Sequence, residues 1–219
     1  DAYRLWISLL EEGRFLPATT GSDTHDIRLV TWMLSFSYVI GLYHEVKKQY
    51  DNLSEENRAK AEYFFGMLEP QFETLQVWFK TNLTSGCVRT YVHAPGERTP
   101  KNLLDNNKAG HSFVTNGPVL IADIGGKGMG ETAGFPVEAE EITAHLTILS
   151  NRPLTKLFVI QNGGRCEELP LPEVEEENGC YDYSGDVTFS AKDAKWVFFR
   201  VSADYTVQAL TNPIFLEGE

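Results

Sequence analysis

"SFVTNGPVLIADI", residues 112–124, marks a change in the character of this chain. Two short runs rich in Val, Leu, Ile and Phe flank an Asn-Gly-Pro turn signal, which reads as strand, turn, strand. The same pattern recurs downstream in "EITAHLTILS" (141–150), "KLFVIQNGG" (156–164), "VTFSA" (187–191), "KWVFFRVS" (195–202), "YTVQAL" (205–210) and "PIFLE" (213–217). "QNGGR" is a hairpin-type turn between two of these runs. "GGKGMGE", residues 125–131, reads as a hairpin loop, because no helix or Lys-Ser/Thr pair follows to make a phosphate loop. "LPLPEVEEENG", residues 169–179, reads as an acidic, proline-bearing loop. Such regular spacing predicts an antiparallel β-sandwich over residues 113–219.

Upstream of that stretch the chain has a different texture. "YRLWISLLEE" reads as a helix closed by Gly13, and "FLPATTGSD" as a short buried strand entering a turn. Residues 27–83 are helical in character, with Ser54 as an N-cap, Glu55 and Glu56 in the first turn, and a break at Pro70. "CVRTYVHA" (87–94) reads as a strand, and "TPKNLLDNNKAGH" (99–111) as a helix stopped by Gly110. Helices with isolated strands over residues 1–112 are what the last part of an α/β fold would look like. The class expected overall is α+β, with the division at residue 112.

Composition narrows the function. The formal net charge is −12, which argues against a nucleic-acid surface, since phosphate backbones call for clustered Lys and Arg. The most apolar run, "LVTWMLSFSYVIGLY" (29–43), is too short and too polar to span a bilayer, so no membrane span is expected. Its apolar residues fall at steps of three and four, as on a buried amphipathic helix. Cys87, Cys166 and Cys180 give no disulfide framework, although a Cys166–Cys180 pair stays open. Asn52 and Asn82 sit in glycosylation sequons. The compartment is not fixed by these features.

One short stretch carries metal-binding chemistry. In "GSDTH" (21–25), Asp23 and His25 lie two apart, so an extended backbone presents both on one side. A carboxylate beside an imidazole suits Zn, Mn or Fe. A polar turn explains the same residues, and two ligands do not complete a site. Arg89 could meet an anionic substrate or close a salt bridge. His93 lies near a strand end, where a loop role competes with a ligand role. Asn116 could fix a turn or contact substrate. His111 could cap the preceding helix, and His44 and His145 lie in periodic runs and read as structural.

Taken in order, "LPATTGSDTH", "RTYV", "NKAGHSFVTNGPVL" and "TNPI" resemble segments of the PHP (polymerase and histidinol phosphatase) superfamily, in its CehA/McbA-like metallohydrolase branch. These segments span about residues 13–216. The resemblance implies the C-terminal fragment of a distorted β/α barrel over residues 1–112, with a helical insertion at about 27–83, followed by the sandwich. It implies a cluster of divalent metal ions to which Asp23 and His25 contribute. It also implies metal-activated water acting on a phosphoester, or on a related ester or carbamate, of a small molecule. A secreted or periplasmic location is compatible with the resemblance. The family's earlier H-x-H ligands are not in this sequence, and His111 stands where the family usually has Arg. The chain alone is therefore expected to hold few of the ligands and to be inactive. Cut barrel edges are expected to favour a homo-oligomer. The alternative is a non-catalytic sandwich that binds a glycan or a protein partner, with Trp196, Phe198 and Phe199 as its aromatic candidates.

Overall fold

The computed structural model describes residues 2–20, 39–80 (side chains through 69), 88–136, 140–203 and 207–218. It divides into two compact units, Asp1–Gly21 with Val88–Glu219, and Ser22–Cys87. The strands, in chain order, are β1 (Arg89–Val92), β2 (Ser112–Thr115), β3 (Val119–Ile124), β4 (Lys127–Gly128), β5 (Thr132–Phe135), β6 (Glu141–Ser150), β7 (Lys156–Gln161), β8 (Arg165–Leu169), β9 (Val174–Glu177), β10 (Cys180–Ser190), β11 (Trp196–Ser202), β12 (Gln208–Thr211) and β13 (Ile214–Gly218). The helices are α1 (Ala2–Glu11), α2 (39–48), α3 (Glu55–Lys80) and α4 (Pro100–Lys108). The class is mixed α+β, mostly β.

The first unit is two sheets with one core between them. One sheet runs β4-β3-β6-β10-β9. The other follows β1-β2-β12-β11-β13-β5, with β7 and β8 continuing from β11. Two sequences show why they face each other. In β6, "EITAHLTILS", Ile142, Ala144, Leu146 and Ile148 are buried and the residues between are largely exposed. That alternation fits a strand with one wet face. In β11, "WVFFRVS", the first four residues are all buried, which requires cover on both faces. Val197, Phe199 and Val201 enter the core with Leu146, Ile148 and Phe189 of the opposite sheet. Trp196 and Phe198 point the other way, toward α1.

α1 provides that outer cover. Tyr3, Trp6, Ile7 and Leu10 recur at steps of three, one and three, and pack on Ile160, Trp196 and Phe198. Leu10 is buried there and Tyr3, Trp6 and Ile7 are partly buried; full burial of a large apolar side chain contributes about 1.5–3 kcal/mol. Trp6 Nε1 donates to the Leu16 carbonyl at 2.7 Å, and Glu11 Oε1 accepts from Gly163 N at 2.5 Å. Because Trp196, Phe198 and Phe199 are buried, they do not form the exposed aromatic platform considered for glycan binding.

Several expectations need correction. β1 pairs antiparallel with β2, and α4 joins them, so the sheet that holds β1 and β2 crosses the division expected at residue 112. Gly110, with φ +82°, turns the chain back directly after α4. The parallel strand–helix–strand unit of a barrel is not seen among the described residues. The sandwich is not wholly antiparallel, since β13 and β5 run parallel. "FLPATT" joins no sheet ladder, and Leu16 and Thr19 are exposed. The acidic stretch 169–179 is not a loop throughout, because β9 pairs antiparallel with β10 across Asn178-Gly179. An Asn-Gly pair between two extended runs is a hairpin signal, and the proline-rich flank masked it. His145 is exposed on β6, where its Nδ1 meets Asp186 Oδ1 across the strands at 2.8 Å. His44 is likewise exposed.

Cys166 and Cys180 are free and exposed, on strands of different sheets, so the disulfide left open by the sequence is not formed. Both thiols are expected to react with a thiol-exchange dye in the native protein without reductant. Protection of either would contradict this arrangement.

The second unit contains α2 and α3. Tyr43 and Leu68 are buried among Val39, Ile40, Phe64 and Phe65. Ser54 caps α3, accepting from Asn57 N at 3.4 Å, with Glu55 and Glu56 in the first turn. α3 does not break at Pro70 but runs to Lys80. A proline in a helix conflicts with the carbonyl four residues back. Here that residue is Gly66, where a Cβ would meet nothing within 4 Å. Tyr43, and then Lys47, hold the Glu69 carboxyl below its ordinary value by hydrogen bonding.

Candidate functional site

Asp23 and His25 lie outside the described residues. The arm that leads to them is described, and side chains hold it to the sheet. Asn212 Oδ1 accepts from Ala18 N at 2.7 Å, and Asn212 Nδ2 reaches the Ala18 carbonyl at 3.4 Å. Thr90 Oγ1 of β1 accepts from Thr20 N at 3.0 Å. Asn212 Nδ2 also donates to Ser112 O at 3.0 Å and to Ser112 Oγ at 2.8 Å. Asn212 is fully buried, at the point where β12 and β13 divide along one edge of β11. The arm is thus tied through side-chain amides and hydroxyls on β1 and between β12 and β13 rather than through ladder bonds.

The weaker candidates scatter. Arg89 is exposed and its guanidinium donates to the Tyr91 hydroxyl at 3.2 Å. Asn116 Oδ1 accepts from Gln208 N at 2.7 Å, and Asn116 N donates to Gln208 O at 3.1 Å. Asn116 therefore extends the pairing of β2 with β12, a tie between segments 92 residues apart. It also borders a shallow depression of about 340 Å³ shared with Tyr3, Thr20 and Gln208. Burial pushes the Tyr3 phenol above its ordinary value, and nearby Arg200 partly offsets this.

His93 is placed differently. It is exposed, and its N–H donates to the His111 carbonyl at 2.7 Å. Both histidines border a cavity of about 580 Å³ in the first unit, between the β1–β2 pair and the β3–β4 hairpin. That volume falls in the small-ligand range. Tyr91 and Phe113, directly paired in register, stack with ring centroids 5.2 Å apart to form one wall. Asp123 and Glu131 also border it. Asp123 Oδ1 accepts from Gly126 N at 2.9 Å and Glu131 Oε2 from Gly128 N at 2.7 Å, so each carboxylate is fixed by a hairpin N–H.

His111 has a determined tautomer. Asn102 Nδ2 donates to the carbonyls of Pro95 and Glu97, at 2.9 and 2.8 Å. Asn102 Oδ1 must then accept from Asn106 Nδ2, at 2.7 Å. That leaves Asn106 Oδ1 as the acceptor at 2.9 Å from His111 Nδ1. A neutral His111 therefore carries its proton on Nδ1 and keeps Nε2 as an acceptor. The capping role expected of His111 is present too, since its N–H donates to Asn106 O at 3.0 Å. The side-chain relay was not legible, because Asn102, Asn106 and His111 look like ordinary helix-end residues. Among the described residues no group of three or more His, Cys, Asp or Glu is placed to hold a metal ion. Among them also, no helix is long and apolar enough to cross a membrane.

The chain matches no protein-family model, no curated protein and no solved structure.

Proposed function

We propose that this chain is the C-terminal part of a PHP-type metal-dependent hydrolase, with Asp23 and His25 as ligands of a divalent-metal cluster. The substrate class is a phosphoester, or a related small-molecule ester or carbamate. Bound Zn, Mn or Fe would acidify a water and balance charge on the scissile group. The single observation that supports this reading is the meeting of its motif segments. The "LPATT" arm bonds Thr90 of "RTYV" and Asn212 of "TNP", and Asn212 bonds Ser112 of "SFVTNGP". Residues 194 apart in sequence are thereby fastened just ahead of Asp23-x-His25. Ligand positions need such support, because a metal tolerates little error in distance.

The test is turnover of an aryl phosphate by the full gene product with Mn or Zn. The double variant Asp23→Ala/His25→Ala is expected to lose at least about a hundredfold, the upper range for even an outer partner of a metal ligand. Activity surviving in that variant would remove the assignment.

A further inference from the structure

We propose that the cavity between the β1–β2 pair and the β3–β4 hairpin binds a small organic cation with a flat aromatic body. No step of the hydrolase reading is needed for this site, and neither Asp23 nor His25 enters the case for it. Its apolar part is a stacked Tyr91–Phe113 wall facing Ile121 and Met129. Tyr91 is 39% exposed and Ile121 48% exposed, although both are large and apolar in body. Aromatic faces exposed in a concavity attract both flat rings and cations.

The polar part selects the charge. Asp123 and Glu131 border the cavity, and each has one oxygen committed to a hairpin N–H. A carboxylate offers about four acceptor positions, so each retains capacity for a ligand donor. His111 also borders the cavity, with Nδ1 held at 2.9 Å from Asn106 Oδ1. The lining is thus rich in acceptors and negative in charge. Its complement is a ligand rich in N–H donors and positively charged, such as an aryl amidinium or arylalkyl ammonium. A metal ion suits the lining less well, because no three of these groups converge. The chain's charge of −12 would also draw cations toward it.

The probe is benzamidine, titrated by calorimetry into the intact 219-residue chain, with benzoate as the isosteric anion. Benzamidine is expected to bind at least about tenfold more tightly than benzoate. Asp123→Asn keeps an oxygen for Gly126 N but removes the charge, and is expected to weaken benzamidine by about tenfold. Ile121→Arg places a bulky cation on an already exposed strand position, and is expected to abolish binding while circular dichroism stays unchanged. Failure of benzamidine to bind, equal affinity for benzoate, or full binding by the folded Ile121→Arg variant would each overturn the proposal.

Discussion

Gly130→Ala is expected to destabilise the first unit by about 3–5 kcal/mol, combining a left-handed backbone penalty with overpacking. Gly130 has φ +79°, and a Cβ built on it would lie 2.2 Å from the Ala109 carbonyl oxygen and 2.8 Å from Gly110 C. Both obstacles are backbone atoms, which cannot swing aside as a side chain would. His111 Cδ2 lies 2.9 Å from the same point. On the other side, Gly130 N donates to Pro213 O at 2.7 Å, so the loop cannot retreat without losing that bond. Gly110 repeats the constraint, since a Cβ there would meet the Phe15 ring at 2.4 Å and Gly130 Cα at 3.4 Å. Two glycines packed back to back thus hold the end of α4 against the loop after β4, and His111 and Glu131 border the same cavity.

A control separates the two contributions. Gly126 has a similar φ of +78° but nothing within 4 Å of its built Cβ. Gly126→Ala should cost only about 1–2 kcal/mol, the backbone penalty alone. Urea unfolding of both variants, followed by far-ultraviolet circular dichroism, measures the difference. Equal losses would show that the close approach of Gly130 to residues 109–111 carries no weight.

These contrasts bear on what a sequence can reveal. Strands were legible wherever burial has a period. β6 announces one wet face through alternation, and β11 announces two covered faces through an unbroken apolar run. α1 was legible because its apolar residues share one face, and α4 because Thr99, Pro100 and Gly110 punctuate it. The β9–β10 hairpin was missed because β9, "VEEE", is exposed throughout, so no apolar period marks it. Which strands pair is a long-range matter, and β1 joining β2 across α4 has no local signal. The cavity was illegible for the same reason. Tyr91, His111, Asp123 and Glu131 come from separate segments, and only pairing β1 with β2 and folding the β3–β4 hairpin bring them to one hollow. The role of Asn116 was not legible, because its side chain bonds the backbone of Gln208, 92 residues away.

Asn212→Ala is expected to cost about 3–4 kcal/mol, from orphaned partners and a small cavity. The side chain is fully buried, so water cannot replace its bonds without entering the sheet. Removing it strips Ala18 N of its acceptor and Ser112 Oγ of its donor. Each buried polar group left unmatched costs about 1–3 kcal/mol. The loss should be local before it is global. Asn212 N still donates to Ser112 O at 3.1 Å, so β12 keeps a backbone tie to β2. The arm has less to fall back on, as its described ties to this edge are Asn212 and Thr90. Hydrogen exchange at the Ala18 amide should therefore accelerate by more than the change in global stability, while α1, held by Trp6 and Leu10, exchanges as before. A cycle with Ser112→Ala should return a coupling of about 1 kcal/mol, as expected for directly bonded neighbours. An Ala18 amide as protected as in the parent chain would mean that Asn212 only fills space. If Asp23 and His25 bind metal, Asn212→Ala should weaken that affinity with both ligands intact, because it frees the arm that leads into them.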